Sequence, residues 1–115
     1  MRFNTELGTI GISNNIIATI AGTAAAGCFG VRGLTAKSTL DGIVHLLKRD
    51  TVSQGVTVTS DENGGIILEL HIAVDAGVNI TAICGSIIQQ IRYQVERATG
   101  LKVADVKIFV EAVKA

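Results

Sequence analysis

Gly77-Val78-Asn79-Ile80 opens, and Thr99-Gly100-Leu101 closes, the stretch whose reading decides how this chain folds. Asn79 has the side chain that satisfies free N–H groups at the start of a helix. Ile80, Ile83, Ile87, Ile91, Val95 and Ala98, widened by Ile88, then recur at helical spacing. Gly100 suits the left-handed conformation with which many helices stop. Beyond it Val106, Ile108, Val110 and Ala112 alternate with Lys107, Phe109 and Glu111, which is the period of a strand. The stretch predicts a long helix over 80–99 and a C-terminal strand. It holds no catalytic or metal-binding constellation.

The flanking segment from Ile66 to Val74 predicts another strand, with Leu68, Leu70, Ile72 and Val74 on one face. Ile67, Glu69, His71 and Ala73 share the opposite face, expected to be largely solvated. Val56-Thr57-Val58-Thr59 should pair with this strand through the turn Asp61-Glu62-Asn63-Gly64-Gly65, because Asn-Gly between alternating runs favours a hairpin. Earlier, Asp41 opens a short helix with Ile43, Val44, Leu46 and Leu47 apolar and Lys48-Arg49 complementing its C-terminal end. Gly8 to Ile12 and Val31 to Leu34 predict two short strands. Between them, Ser13 or Asn14 caps a helix whose apolar positions are Ile16, Ile17, Ile20, Ala21, Ala24 and Cys28, stopped by Gly27 and Gly30. The order strand–helix–strand–helix–hairpin–helix–strand predicts an α+β fold. The expected architecture is a two-layer sandwich, a mixed and mostly antiparallel sheet covered on one face by two main helices plus a short third helix. With no linker or low-complexity tract, residues 1–115 are expected to form a single domain.

Ten basic and ten acidic residues cancel, and the chain is 48% hydrophobic but only 3% aromatic. A neutral chain without a basic stripe or stacking rings is poorly suited to nucleic acid, so no nucleic-acid partner is expected. The N-terminal Met1-Arg2-Phe3-Asn4-Thr5-Glu6 lacks the form of a signal peptide. Leu7 to Val31 is free of charge, yet Gly8, Gly11, Ser13, Asn14, Asn15, Thr19, Gly22, Thr23 and Gly27 interrupt it. No direct membrane span is therefore expected. Cys28 and Cys84 lie far apart in apolar surroundings and read as reduced core thiols of a cytoplasmic protein.

Candidate chemistry is sparse. His45 and His71 are the two histidines, and Glu69 shares a strand face with His71, but no further ligand completes a metal set. Ser13, Ser38, Ser53, Ser60 and Ser86 have no His-plus-acid arrangement near them in sequence. Asp61-Glu62 belongs to a turn and reads as hydrophilic surface. Gly27-Cys28-Phe29-Gly30 and Gly30-Val31-Arg32-Gly33 match the Gly-x-x-Gly pattern, which clamps a nucleic-acid backbone when it joins two helices. Here it joins a helix to a strand, so helix termination and a tight turn explain it better. No catalytic residue, cofactor site or metal site is assigned.

Both long helices lack charge to an unusual degree. None occurs between Asp75 and Arg92, where Thr81, Gly85, Ser86, Gln89 and Gln90 fill the positions outside the apolar stripe. An ordinary surface helix carries Lys and Glu there. Such a face can pack against the other helix of the same molecule, or it can meet a partner. Thr81, Gly85, Gln89 and Arg92 are the candidate protein-contact residues.

Several segments in the same order resemble the alkaline shock protein family of small bacterial envelope-stress proteins, including its YloU-like members. They are Gly8-Thr9-Ile10-Gly11-Ile12-Ser13, Ile17-Ala18-Thr19-Ile20-Ala21, Gly30-Val31-Arg32-Gly33-Leu34 and Gly55-Val56-Thr57-Val58. Gly77-Val78-Asn79-Ile80 and Thr99-Gly100-Leu101-Lys102-Val103 continue the series into Val106-Lys107-Ile108-Phe109-Val110. Ala76 stands where the family often has an aromatic residue, and Lys107 where it often has Asn. The resemblance implies a non-enzymatic cytoplasmic stress-response protein linked to the cell envelope. It further implies a self-associating scaffold or adaptor, a homo-oligomer held near the membrane by a membrane-anchored partner. Two other readings stay open: a small-ligand-sensing regulatory domain, and a nucleic-acid adaptor using the Gly-rich turn and Arg32.

Overall fold

A computed structural model of the chain describes residues 2–5, 8–11, 13–35 and 49–113. The helix expected from Asp41, with His45 on it, lies outside the described residues. A 3-10 turn, Arg49–Gly55, follows that region.

Two short strands, β1 (Arg2–Thr5) and β2 (Gly8–Gly11), pair antiparallel from Arg2↔Gly11 to Thr5↔Gly8 as a separate two-stranded sheet. No sequence pattern predicts β1, because its four residues show no alternation and only pairing with β2 defines it. Helix α1 (Asn14–Ala26) starts at Ser13, whose hydroxyl oxygen accepts the Asn15 N–H at 3.1 Å.

α1 is rotated partway from the expected stripe: Ile17 and Ala21 are buried as expected, and Ile20, Ala24 and Cys28 pack only partly buried against the core. Ile17, Ala18, Ala21, Gly22 and Ala25 are buried, whereas Ile16 is 53% exposed. In a helix without charge, hydropathy distinguishes the faces weakly and close approach decides. A Cβ at Gly22 would lie 3.2 Å from both Leu34 Cδ1 and Val52 Cβ. The small-residue face of α1 therefore fits against Leu34 and Val52, where a bulkier one would not.

Strand β3 (Val31–Leu34) follows a turn in which Gly30 takes φ +88°. Strands β4 (Val56–Ser60) and β5 (Ile66–Asp75) form the expected hairpin, Val56↔Leu70 to Ser60↔Ile66. Asp61 organises its turn by accepting the Asn63 N–H at 3.0 Å and the Gly65 N–H at 2.7 Å. Helix α2 (Ile80–Thr99) and strand β6 (Val103–Val113) complete the chain.

β5 is the centre of the four-stranded sheet. One edge is shared end to end, β4 pairing antiparallel with residues 66–70 and β3 with 72–74. The other edge carries β6, parallel throughout from Ile66↔Val103 to Asp75↔Val113. The sheet is thus mixed, and β5–α2–β6 is a crossover in which a helix returns the chain to lie parallel. The fold is α+β with two α-helices among the described residues.

Ile66, Leu68, Leu70, Ile72 and Val74 project from one face of β5 and are no more than 1% exposed. They share a core with Ile17 and Ala21 of α1 and with Ile83, Ile87, Ile91 and Val95 of α2. On the other face Ile67, Glu69 and His71 are half-buried, and Ala73 is wholly buried rather than solvated. The reason is cross-strand cover for His71 and, for Ala73, a short side chain on a central strand flanked by β3 and β6. His71 stacks on Phe109 of β6 with ring centroids 4.8 Å apart, and the short Ala73 side chain sits opposite Gly33.

Candidate functional site

The presentation of α2 follows from its two ends and its stripe. Asn79 Oδ1 accepts the Ala82 N–H at 3.1 Å, so the N-terminus is capped as its sequence requires. At the other end Gly100, at φ +73°, donates its N–H to the Glu96 carbonyl at 2.9 Å. The Glu96 carboxylate accepts the Val103 N–H at 2.9 Å and fastens the helix to the start of β6. Burial of Ile83, Ile87, Ile91 and Val95 then fixes the helix rotation. Ile80 and Ala98, expected in the buried stripe, are exposed because they lie in the terminal turns, beyond the reach of the sheet.

With that rotation fixed, Thr81, Gly85, Gln89 and Arg92 are all exposed. Their spacing places them in one line along the side of α2 turned away from the core. A Cβ built on Gly85 meets nothing within 4 Å, so the middle of the line is flat and open. The four residues singled out from sequence come together as one continuous strip.

Ser86 and Gln90, also uncharged, belong elsewhere. With Gln94 they face α1 across a groove of about 660 Å³, completed by Ile20, Ala24 and Cys28, with Phe29 at its rim. None of the described residues that line it is charged. Phe29 is 94% exposed. The sequence shows the absence of charge on α1 and on α2 before Arg92 but not the groove, because the even hydropathy of α1 predicts its rotation only in part. The end of α1 lies beside the beginning of α2, and Gly30 is so close to Ile83 that a Cβ would come within 2.5 Å of it.

Cys28 Sγ donates to the Ala24 carbonyl at 3.4 Å, and both cysteines are free thiols. Burial pushes the Cys28 thiol up from its ordinary value, with a hydrogen bond to Ser86 acting in the opposite direction. Burial alone pushes Cys84 up. Neither thiol is tuned as a nucleophile.

The remaining sequence candidates take structural places. Ser13 caps α1, and Asp61 holds the hairpin turn. Residues 27–30 form the turn out of α1, with the Val31 N–H donating to the Cys28 carbonyl at 3.3 Å. Arg32 pairs with Asp75 across 3.1 Å, so its guanidinium is engaged with a carboxylate of β5. His71 is committed to its stack with Phe109, and its buried Nε2 has no hydrogen-bond partner. Among the described residues, no three His, Cys, Asp or Glu side chains cluster to hold a metal ion, and no helix is long and apolar enough to cross a membrane.

The sequence model of the alkaline shock protein 23 family, described as having a cell envelope-related function, matches residues 2–115. The chain belongs to this alkaline shock protein family. The uncharacterized protein YloU of Bacillus subtilis is 33% identical over 115 residues, a match covering 99% of this chain and 95% of YloU. The uncharacterized protein Spy1614 of Streptococcus pyogenes serotype M6 is 30% identical over 115 residues, covering 99% of this chain and 94% of that protein. No solved structure matches this alkaline shock family chain.

Proposed function

We propose that this alkaline shock family chain is a single two-layer α+β domain acting as a self-associating scaffold or adaptor at the cell envelope, without enzymatic activity. The observation that carries the reading is the open strip Thr81, Gly85, Gln89 and Arg92 on α2. Three of its four residues are uncharged, and Gly85 leaves room for another surface to approach the helix backbone. Faces low in charge cost little to desolvate, which favours their use in contacts between proteins. The envelope-related description of the family supports a place at the envelope, and the reading adds a cytoplasmic location near the membrane through a membrane-anchored partner.

Gly85→Glu or Gln89→Glu places a carboxylate in the middle of the strip. Light scattering should then report a shift toward the monomer, while an assembly of unchanged mass would contradict the strip as the contact.

The groove between α1 and α2 favours a second reading, a small-ligand-sensing domain. At about 660 Å³ its size is typical of small-molecule sites. A ligand that binds the native state raises its melting temperature. A thermal-shift panel of uncharged metabolites should then produce a concentration-dependent rise, and a flat panel would count against sensing.

A further inference from the structure

Phe29 stands at the rim of an uncharged groove and is itself 94% exposed. A large apolar side chain in that position is costly in water, and the turn at residues 27–30 holds it clear of its own core. The groove beside it has Ile20 and Ala24 for an apolar floor and Ser86, Gln90 and Gln94 for a polar wall. A projecting ring and a receptive groove thus lie side by side on one surface.

That adjacency is the arrangement a two-fold contact needs. In an isologous interface the same patch occurs on both partners, so a knob beside a hole on one copy meets a hole beside a knob on the other. Charge points the same way. A charged patch turned on itself repels, whereas none of the described residues lining this groove is charged. Nothing in it attracts a phosphate, an acidic peptide or an anionic lipid headgroup. A small apolar ligand would fill the groove but leave Phe29 in water. A second copy covers both.

We infer that two copies of this chain pair through the α1–α2 groove, each inserting Phe29 into the groove of the other. The inference rests on the self-associating reading and adds a contact distinct from the strip of Thr81, Gly85, Gln89 and Arg92. Two different contacts on one chain would let pairs join further pairs. The central anchor of such an interface is an aromatic residue, the type that most often dominates binding energy.

The chain has no Trp, so F29W gives a single indole reporter at the contact. The full-length variant would be followed by fluorescence and sedimentation over the same concentration series. On the inference, its emission moves to shorter wavelength as mass rises above one chain. F29A and Q90R, both at exposed positions, should each raise the pairing dissociation constant by at least about tenfold. Circular dichroism on the same samples separates this from a loss of fold. If the wild type assembles while the F29W emission stays solvent-like and F29A leaves the mass unchanged, the groove contact is wrong and the scaffold reading stands. If the wild type remains a single chain at every concentration, both fail together.

Discussion

Single residues in this fold are chosen more by space than by chemistry. Gly22 and Gly30 make the point differently. At Gly22 an added Cβ would crowd Leu34 and Val52 at 3.2 Å, although the backbone there is ordinary helix. At Gly30 two penalties coincide, a φ of +88° and a Cβ position only 2.5 Å from Ile83 Cδ1. Gly64 has a similar φ of +81° with nothing within 4 Å, so it carries the backbone penalty alone. Gly64→Ala should therefore cost about 1 kcal/mol and Gly30→Ala about 2–3 kcal/mol, read as lowered urea midpoints with unchanged slopes. Equal losses at the two sites would mean that Ile83 moves aside without cost. The sequence offered Gly27 and Gly30 as stops for α1; Gly27 caps the helix and Gly30 makes the turn before β3. The role of Gly22 was not legible, because a helix interior glycine reveals its purpose only through what lies opposite.

At the scale of elements, α2 was the more legible of the two helices and α1 the less. α2 combines a cap, a single apolar stripe and a left-handed stop, and all three agree with its observed span Ile80–Thr99. α1 has a cap but hardly any contrast between its faces, so its apolar spacing predicts a rotated stripe that puts Ile16 in the core. The β4–β5 hairpin is announced by Asn63-Gly64, whereas β1 depends on its partner and leaves no periodic signal. The parallel pairing of β6 with β5 follows from the long crossover through α2, and alternation by itself does not encode direction. Because Asn79 Oδ1 accepts the Ala82 N–H, Asn79→Ala should destabilise the domain by about 1 kcal/mol, while Asn79→Asp should be nearly neutral. Thermal melts of the two variants check this; matching losses would show that the cap contributes little. The candidate strip on α2 was legible for the same reason as the helix itself. The groove was not, since it requires the correct rotation of both helices.

The whole molecule presents an uncommon balance: zero net charge, one helix without charge and a second without charge before Arg92, and a core made almost entirely of aliphatic side chains. Neutral chains lack the mutual repulsion that keeps many small proteins apart. Open helix surface, an exposed Phe29 and a neutral groove act in the same direction. They are the features on which the proposed contact between copies rests. Family membership supplies the envelope-related setting, and the α2 strip and the α1–α2 groove are the two places proposed for contact. The most direct measurement is sedimentation velocity of the unmodified chain across a wide concentration range at physiological salt. The account predicts a weight-average mass that climbs from 12.0 kDa toward multiples of it as concentration rises. A single species at 12.0 kDa throughout the range would contradict it.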